Sequence, residues 1–94
     1  MKARLLYEFK RRFDDGAIIE MVLWQLPQPV AGSAHRYKYR LYYGFPGRRI
    51  VGYDNEPGKG DHRHAGAIES KYAFVSPETL MEDFLADVGQ RRRK

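Results

Sequence analysis

Residues 35–45, HRYKYRLYYGF, alternate in character: Tyr37, Tyr39, Leu41, Tyr43 and Phe45 fall on one side of an extended chain, and Arg36, Lys38, Arg40 and Tyr42 on the other. A period of two sends successive side chains to opposite faces, so the stretch requires a sheet with one face in a core. Its neighbours fall into step. RLLYEFKRRF gives a first strand over about residues 3–13, closed by Asp15-Gly16, a pair that tolerates the positive φ of a tight hairpin. AIIEMVLWQL at 17–26 is β-branched and apolar on both faces, as a central strand is, and stops at Pro27 and Pro29, which cannot donate to a ladder. Phe45-Pro46-Gly47-Arg48 supplies a turn after the third strand, and RRIVGYD at 48–54 a short fourth. ESKYAFV at 69–75 reads as a fifth short strand or an extended connector.

SPETLMEDFLADVG at 76–89 carries the signals of a helix. Ser76 can cap it, Pro77 fits the first helical position, Glu78 suits the positive end of the dipole, and Gly89 provides a stop. Leu80, Phe84, Leu85 and Val88 form its apolar face. The fold class that follows is α+β: an antiparallel meander of four or five strands with one C-terminal helix packed on one face. Tyr7, Phe9, Trp24, Tyr37, Tyr39, Phe74 and Phe84 are read as core. Residues 1–90 form a single domain, and the basic residues 91–94 a disordered tail.

Ninety-four residues bury roughly 60 to 65% of the unfolded surface, enough for one modest core. There is no cysteine, so neither a disulfide framework nor thiolate metal ligation is available. MKARLLYEFK lacks the apolar run of a signal peptide, and AIIEMVLWQL, broken by Glu20, is about half a membrane span. A soluble, cytoplasmic protein without a membrane partner is expected. The net charge of +5 resides mostly in Arg91, Arg92, Arg93 and Lys94. Overall basicity is therefore a weak argument for nucleic acid, and the placement of the other charges matters more.

DNEPGKGDHRHAG at 54–66 is the stretch in which chemistry gathers. It is not a nucleotide-binding P-loop: five residues rather than four separate Gly52 from Gly58, and Lys59 is followed by Gly60 rather than by Ser or Thr. His62 and His64, spaced by two, would face the same way if extended, and Asp54, Asp61 or His35 could complete a metal set. Two histidines with an unassigned carboxylate make a thin metal signature, and the reading adopted needs neither metal nor cofactor.

Metal-free RNA cleavage asks for a base, an acid and cations for the phosphate. His62 and His64 suit the two proton-transfer roles, about 6 to 7 Å apart on an extended segment. Asp54 or Asp61 would orient an imidazole, and Lys59 and Arg63 would hold the phosphate. Arg36, Lys38 and Arg40, with Tyr42 beside them, form a second candidate surface on which cations meet a backbone and an aromatic ring stacks a base. Plain alternatives exist for both: a solvated turn, and the wet outer face of an antiparallel sheet.

EMVLWQLPQPVAGSAHRYKYRLYY, VGYDNEPGKGDHRHAG and SPETLMEDFLADV together resemble the TumE family, small toxins of bacterial toxin–antitoxin modules, over about residues 3–88. The resemblance implies a cognate antitoxin, a small DNA-binding protein of winged-helix type, and growth inhibition through RNA or translation. It hands over no catalytic residues. The combined expectation is a toxin acting on RNA or the ribosome as a metal-independent endoribonuclease, a hydrolase of phosphodiester bonds; the alternative is a non-catalytic RNA-, ribosome- or protein-binding module.

Overall fold

The computed structural model describes residues 2–92. Six strands follow one another in chain order, β1 (Arg4–Arg12), β2 (Ile18–Gln25), β3 (Tyr37–Phe45), β4 (Arg48–Glu56), β5 (Gly60–Ala65) and β6 (Ile68–Lys71), before the single helix α1 (Pro77–Arg92). They form one open sheet in the order β1-β2-β3-β4-β5-β6, each pairing antiparallel with the next. The expected α+β meander with a C-terminal helix is present, but with six strands rather than four or five. The difference lies in residues 54–66. They are not a loop but the end of β4, a turn, and the whole of β5, with β6 following at Ile68.

Polarity misleads there because the helix covers one face of the sheet only. Side chains on the other face meet water, so a strand can carry Asp54, His62 and His64 without burying a charge. The turn is made by glycines. Gly58 and Gly60 have φ values of 84° and 79°, a region that side chains with a Cβ rarely adopt. At Gly60 a Cβ would also stand 2.8 Å from the Gly32 carbonyl oxygen, where the 26–36 connection lies against the turn.

The core lies between α1 and the inner face of the sheet. Met21 and Leu23 from β2, Tyr39 and Leu41 from β3, and Val51 and Tyr53 from β4 meet Leu80, Phe84 and Val88 from the helix. The alternation read in β3 holds: Tyr39, Leu41 and Tyr43 are buried, whereas Arg40 is exposed. Ser76 caps α1, its Oγ accepting from the Thr79 amide at 3.1 Å, and the first helical bond runs from Leu80 N–H to the Ser76 carbonyl.

Two details of the helix differ from expectation. Leu85 is exposed, because the helix touches the sheet along a narrow stripe of residues four apart. Gly89 does not end it: the helix continues through Arg91 and Arg92. Arg92 supplies the reason, donating to the Tyr43 hydroxyl at 2.9 Å and to Asp15 at 3.2 Å while its guanidinium lies 3.8 Å from the Phe13 ring centroid. Those contacts extend the helix past a residue that, by itself, costs only about 1 kcal/mol in a helix interior. Arg93 and Lys94 of the expected tail lie outside the described residues.

The sheet outreaches its helix. All of β1 is exposed, so Tyr7 and Phe9, and Trp24 on β2, are not core as expected; each is more than a third exposed.

Candidate functional site

Residues directly opposite in adjacent strands share a face, so the register assigns every side chain. One row across the helix-free face runs Val22, Arg40, Asp54, His62, Lys71. The next runs Glu20, Tyr42, Gly52, His64, Glu69. His62, His64, Asp54, Arg40 and Tyr42 thus come together on one surface, with Lys38 opposite Trp24 at its margin. Arg36 is exposed just before β3, at a cleft with Lys2 and Arg4.

Both imidazoles of β5 converge on Glu69 of β6. Its Oε2 stands 3.5 Å from His62 Nδ1 and 3.8 Å from His64 Nε2. Their other nitrogens define the protons. Arg49 donates from Nη2 to His64 Nδ1 at 2.9 Å, and since a guanidinium only donates, His64 carries its proton on Nε2. His62 Nε2 lies 2.8 Å from the Lys59 carbonyl, which only accepts, so that nitrogen is protonated and Nδ1 is the side facing Glu69. His62 Nδ1 is shielded from solvent and has no hydrogen-bond partner among the described residues. The pair therefore presents one N–H and one shielded nitrogen toward a single carboxylate.

The cations of the face are partly spent. Arg40 pairs with Glu20 at 3.1 Å and lies 5.2 Å from the Tyr42 ring centroid; Lys10 holds the same carboxylate at 3.3 Å. The Arg40 hydrogen bond, with help from Lys10, holds the Glu20 carboxyl below its ordinary value against the opposing effect of burial. Lys38 reaches the Asn55 carbonyl at 3.3 Å.

Asp61 and Arg63, of opposite parity to the histidines, project to the helix side. Asp61 accepts from Ser33 Oγ at 2.9 Å and contacts His35 Nε2 at 2.7 Å. The Tyr37 amide donates to His35 Nδ1 at 3.1 Å, so Nε2 is the donor to Asp61 and neither ring nitrogen is left over. His35 also stacks on Phe74 with centroids 3.8 Å apart. The cluster anchors the 26–36 connection, and a cleft of about 290 Å³ lined by His35, Asp61, Lys59, Lys71 and Tyr72 opens beside it.

Arg63 donates from Nε to Asp87 of α1 at 2.8 Å and to the Tyr53 hydroxyl at 3.1 Å. That hydrogen bond to Asp87 raises the Arg63 pKa despite some burial. Of the cations expected to hold phosphate, Lys59 borders the cleft and Arg63 clamps the helix.

Asn55, Glu69 and Arg49 were not legible as site or framework residues. Asn55 is fully buried; its Oδ1 accepts from the Tyr39 amide at 2.9 Å, and its Nδ2 donates to the Tyr37 carbonyl at 2.6 Å. It takes over from the β3–β4 ladder, whose last paired residues are Arg40 and Asp54. Glu69 and Arg49 carried no signal, because their meeting with the histidines depends on register alone.

Among the described residues, no group of three or more His, Cys, Asp or Glu side chains is disposed to hold a metal ion, and no helix is long and apolar enough to cross a membrane. Comparison with curated proteins and with solved structures gave no match. The family model described as toxin TumE matches residues 2–92, and by that match the chain belongs to the TumE toxin family.

Proposed function

We propose that this toxin acts on RNA, as a metal-independent endoribonuclease whose reacting groups lie on the helix-free face of the sheet. Family membership makes the chain a toxin of a toxin–antitoxin pair with a cognate antitoxin as partner. The observation that carries the RNA reading is the convergence of His62 Nδ1 and His64 Nε2 on one anionic group, the Glu69 carboxylate, beside Asp54 and Arg40. A phosphate entering between the rings would take the place of that carboxylate. Glu69 is half exposed on the short last strand, where it can swing away.

In the step that follows, His62 Nδ1 accepts the proton of the ribose 2′-hydroxyl and the 2′ oxygen attacks phosphorus. The bond from phosphorus to the 5′ oxygen breaks, and His64, in this step the imidazolium with Arg49 turned from Nδ1 to the phosphate, protonates the departing oxygen from Nε2 and is left as the neutral imidazole. The products are a 2′,3′-cyclic phosphate and a 5′-hydroxyl end. Arg49, released from His64 Nδ1, joins Arg40, Lys38 and Arg36 in supplying cations for the phosphate backbone; Tyr42 offers a ring for stacking. Asp54, opposite both Arg40 and His62 in the register, adds a carboxylate beside the imidazole, whose Nε2 is held by the Lys59 carbonyl. Asp61 has a supporting part in this reading, since it anchors the connection that packs against the β4–β5 turn.

One observation favours a non-catalytic RNA- or ribosome-binding module instead: His62 Nδ1 is out of reach of solvent while Glu69 stays in place. Incubating the purified toxin with end-labelled RNA in excess chelator, with and without ribosomes, separates the two. Cyclic-phosphate ends that vanish with His64→Ala support the nuclease; intact RNA that still binds supports the module; loss of cleavage in chelator sinks the metal-independent step.

A further inference from the structure

β1 is the first strand of the sheet, paired with β2 on one side, and among the described residues its other side presents an unpaired row of N–H and C=O groups. Such a row is a template for another strand. Its side chains are apolar on both faces and uncovered on both. Tyr7 and Phe9 lie opposite Leu23 and Met21, on the helix side but beyond the helix; Leu5 lies opposite Trp24 on the other face. Leu5, Leu6, Tyr7 and Phe9 are each about 40% exposed, a concentration of bare apolar surface found nowhere else along a described strand. Interleaved with them are Arg4, Lys10, Arg11 and Arg12 against a single acid, Glu8.

That charge pattern selects the occupant. In the antiparallel register that pairs all nine residues, a second copy would set Glu8 opposite Glu8 and Arg4 opposite Arg12, and like charges directly opposite are destabilising. A strand carrying carboxylates at alternate positions and apolar groups between them meets both features at once. RNA offers no strand to complete the row.

We infer that the open edge of β1 is a docking strand for an extended, acidic segment of a protein partner, which joins the six-stranded sheet as a further strand. Main-chain hydrogen bonds give the segment its hold, and the basic residues of β1 select its charge. The site is separate from the RNA-directed face: β1 contains none of the residues assigned to cleavage, so either assignment can fail alone.

The test uses the whole, isotope-labelled chain and three synthetic nonapeptides. One alternates Glu with Val, one alternates Lys with Val, and one is the acidic peptide with two prolines at its centre. The acidic peptide is expected to shift β1 amides and slow their exchange, and the other two are not. The triple variant R4E/R11E/R12E, which replaces cations on both faces of β1, should bind the acidic peptide roughly tenfold more weakly whichever face the carboxylates take, and should bind the lysine peptide better.

Shifts confined to the His62–His64 face, no shifts, or equal binding of the proline peptide would each overturn the assignment. So would a dimer in solution that Phe9→Lys dissolves, which would give the edge to a second copy, or a ribo-oligonucleotide that displaces the peptide from β1. If the triple variant does not fold, the three peptides on the unaltered chain decide the question.

Discussion

Arg63 on β5 and Asp87 on α1 meet through Nε and Oδ2 at 2.8 Å, and the Tyr53 hydroxyl of β4 donates to the same carboxylate oxygen at 2.5 Å. One turn earlier on the helix, Asp83 accepts from the Tyr72 hydroxyl at 2.6 Å. The helix is thereby held over the sheet by two carboxylates four residues apart as well as by its apolar stripe. The clamp spends Arg63, which the sequence offers as a phosphate ligand, on orientation of the fold.

This clamp sets an acid limit to stability. Burial pushes the Asp87 carboxyl up, but the hydrogen bonds and charge of Arg63, with the hydroxyl of Tyr53, bring it below its ordinary value. A depressed carboxylate contributes stability that is fully present above the unfolded value, about 3.9, and is lost as pH falls through the folded one. Thermal melts followed by circular dichroism should give a Tm that declines steeply below about pH 4. Asp87→Asn should lower Tm at neutral pH and flatten that decline; an acid slope identical to that of the unaltered chain would contradict the assignment.

Asn55→Ala should cost roughly 2 to 4 kcal/mol, because it strands the Tyr39 N–H and the Tyr37 carbonyl without their partner in a dry interior. The urea midpoint is the measure. Asn55→Asp should be at least as harmful, since the carboxylate can accept from Tyr39 but not donate to Tyr37. A change below about 1 kcal/mol for both would mean that water replaces the amide.

For the proposed chemistry, His62→Ala and His64→Ala should each reduce RNA cleavage by about 10²- to 10⁴-fold, with urea midpoints close to that of the unaltered chain. Glu69→Ala should behave in the opposite sense for binding. Removing the carboxylate that stands between the rings should tighten association with a non-cleavable deoxy-substituted oligonucleotide. Weaker association would mean that Glu69 orients the histidines rather than occupying the phosphate position.

Replacing Arg36, Lys38 and Arg40 together by Ala should reduce the salt slope of RNA binding by about two units, below the value expected for three free cations because Arg40 is shared with Glu20. Filter binding over a range of salt concentrations measures it, and base preference should not change. The full chain is the right protein for this comparison. Ending it at Gly89 would remove Arg92 and with it the contacts to Tyr43, Asp15 and Phe13. An unchanged slope would leave the strand face merely solvated.

The β3 alternation, the hairpin signal at Asp15-Gly16, and the Ser76 cap with Pro77 are local properties, and local sterics with period-two burial are enough to determine them. The identity of residues 54–66 as strand was not local. Polar residues form a strand there because neighbours on both sides supply its hydrogen bonds and because one face of the sheet is left to water, and neither condition is written in the segment. Parity within β5 put His62 and His64 on one side, as their spacing said, but the same parity sent Asp61 and Arg63 to the helix side. Which acid faces the histidines was decided by the β5–β6 register, which places Glu69 opposite His64 and makes it their shared partner. Likewise the helix ran past Gly89 because Arg92 found Tyr43 and Asp15, residues distant in sequence, and a long-range contact can outweigh a weak local stop.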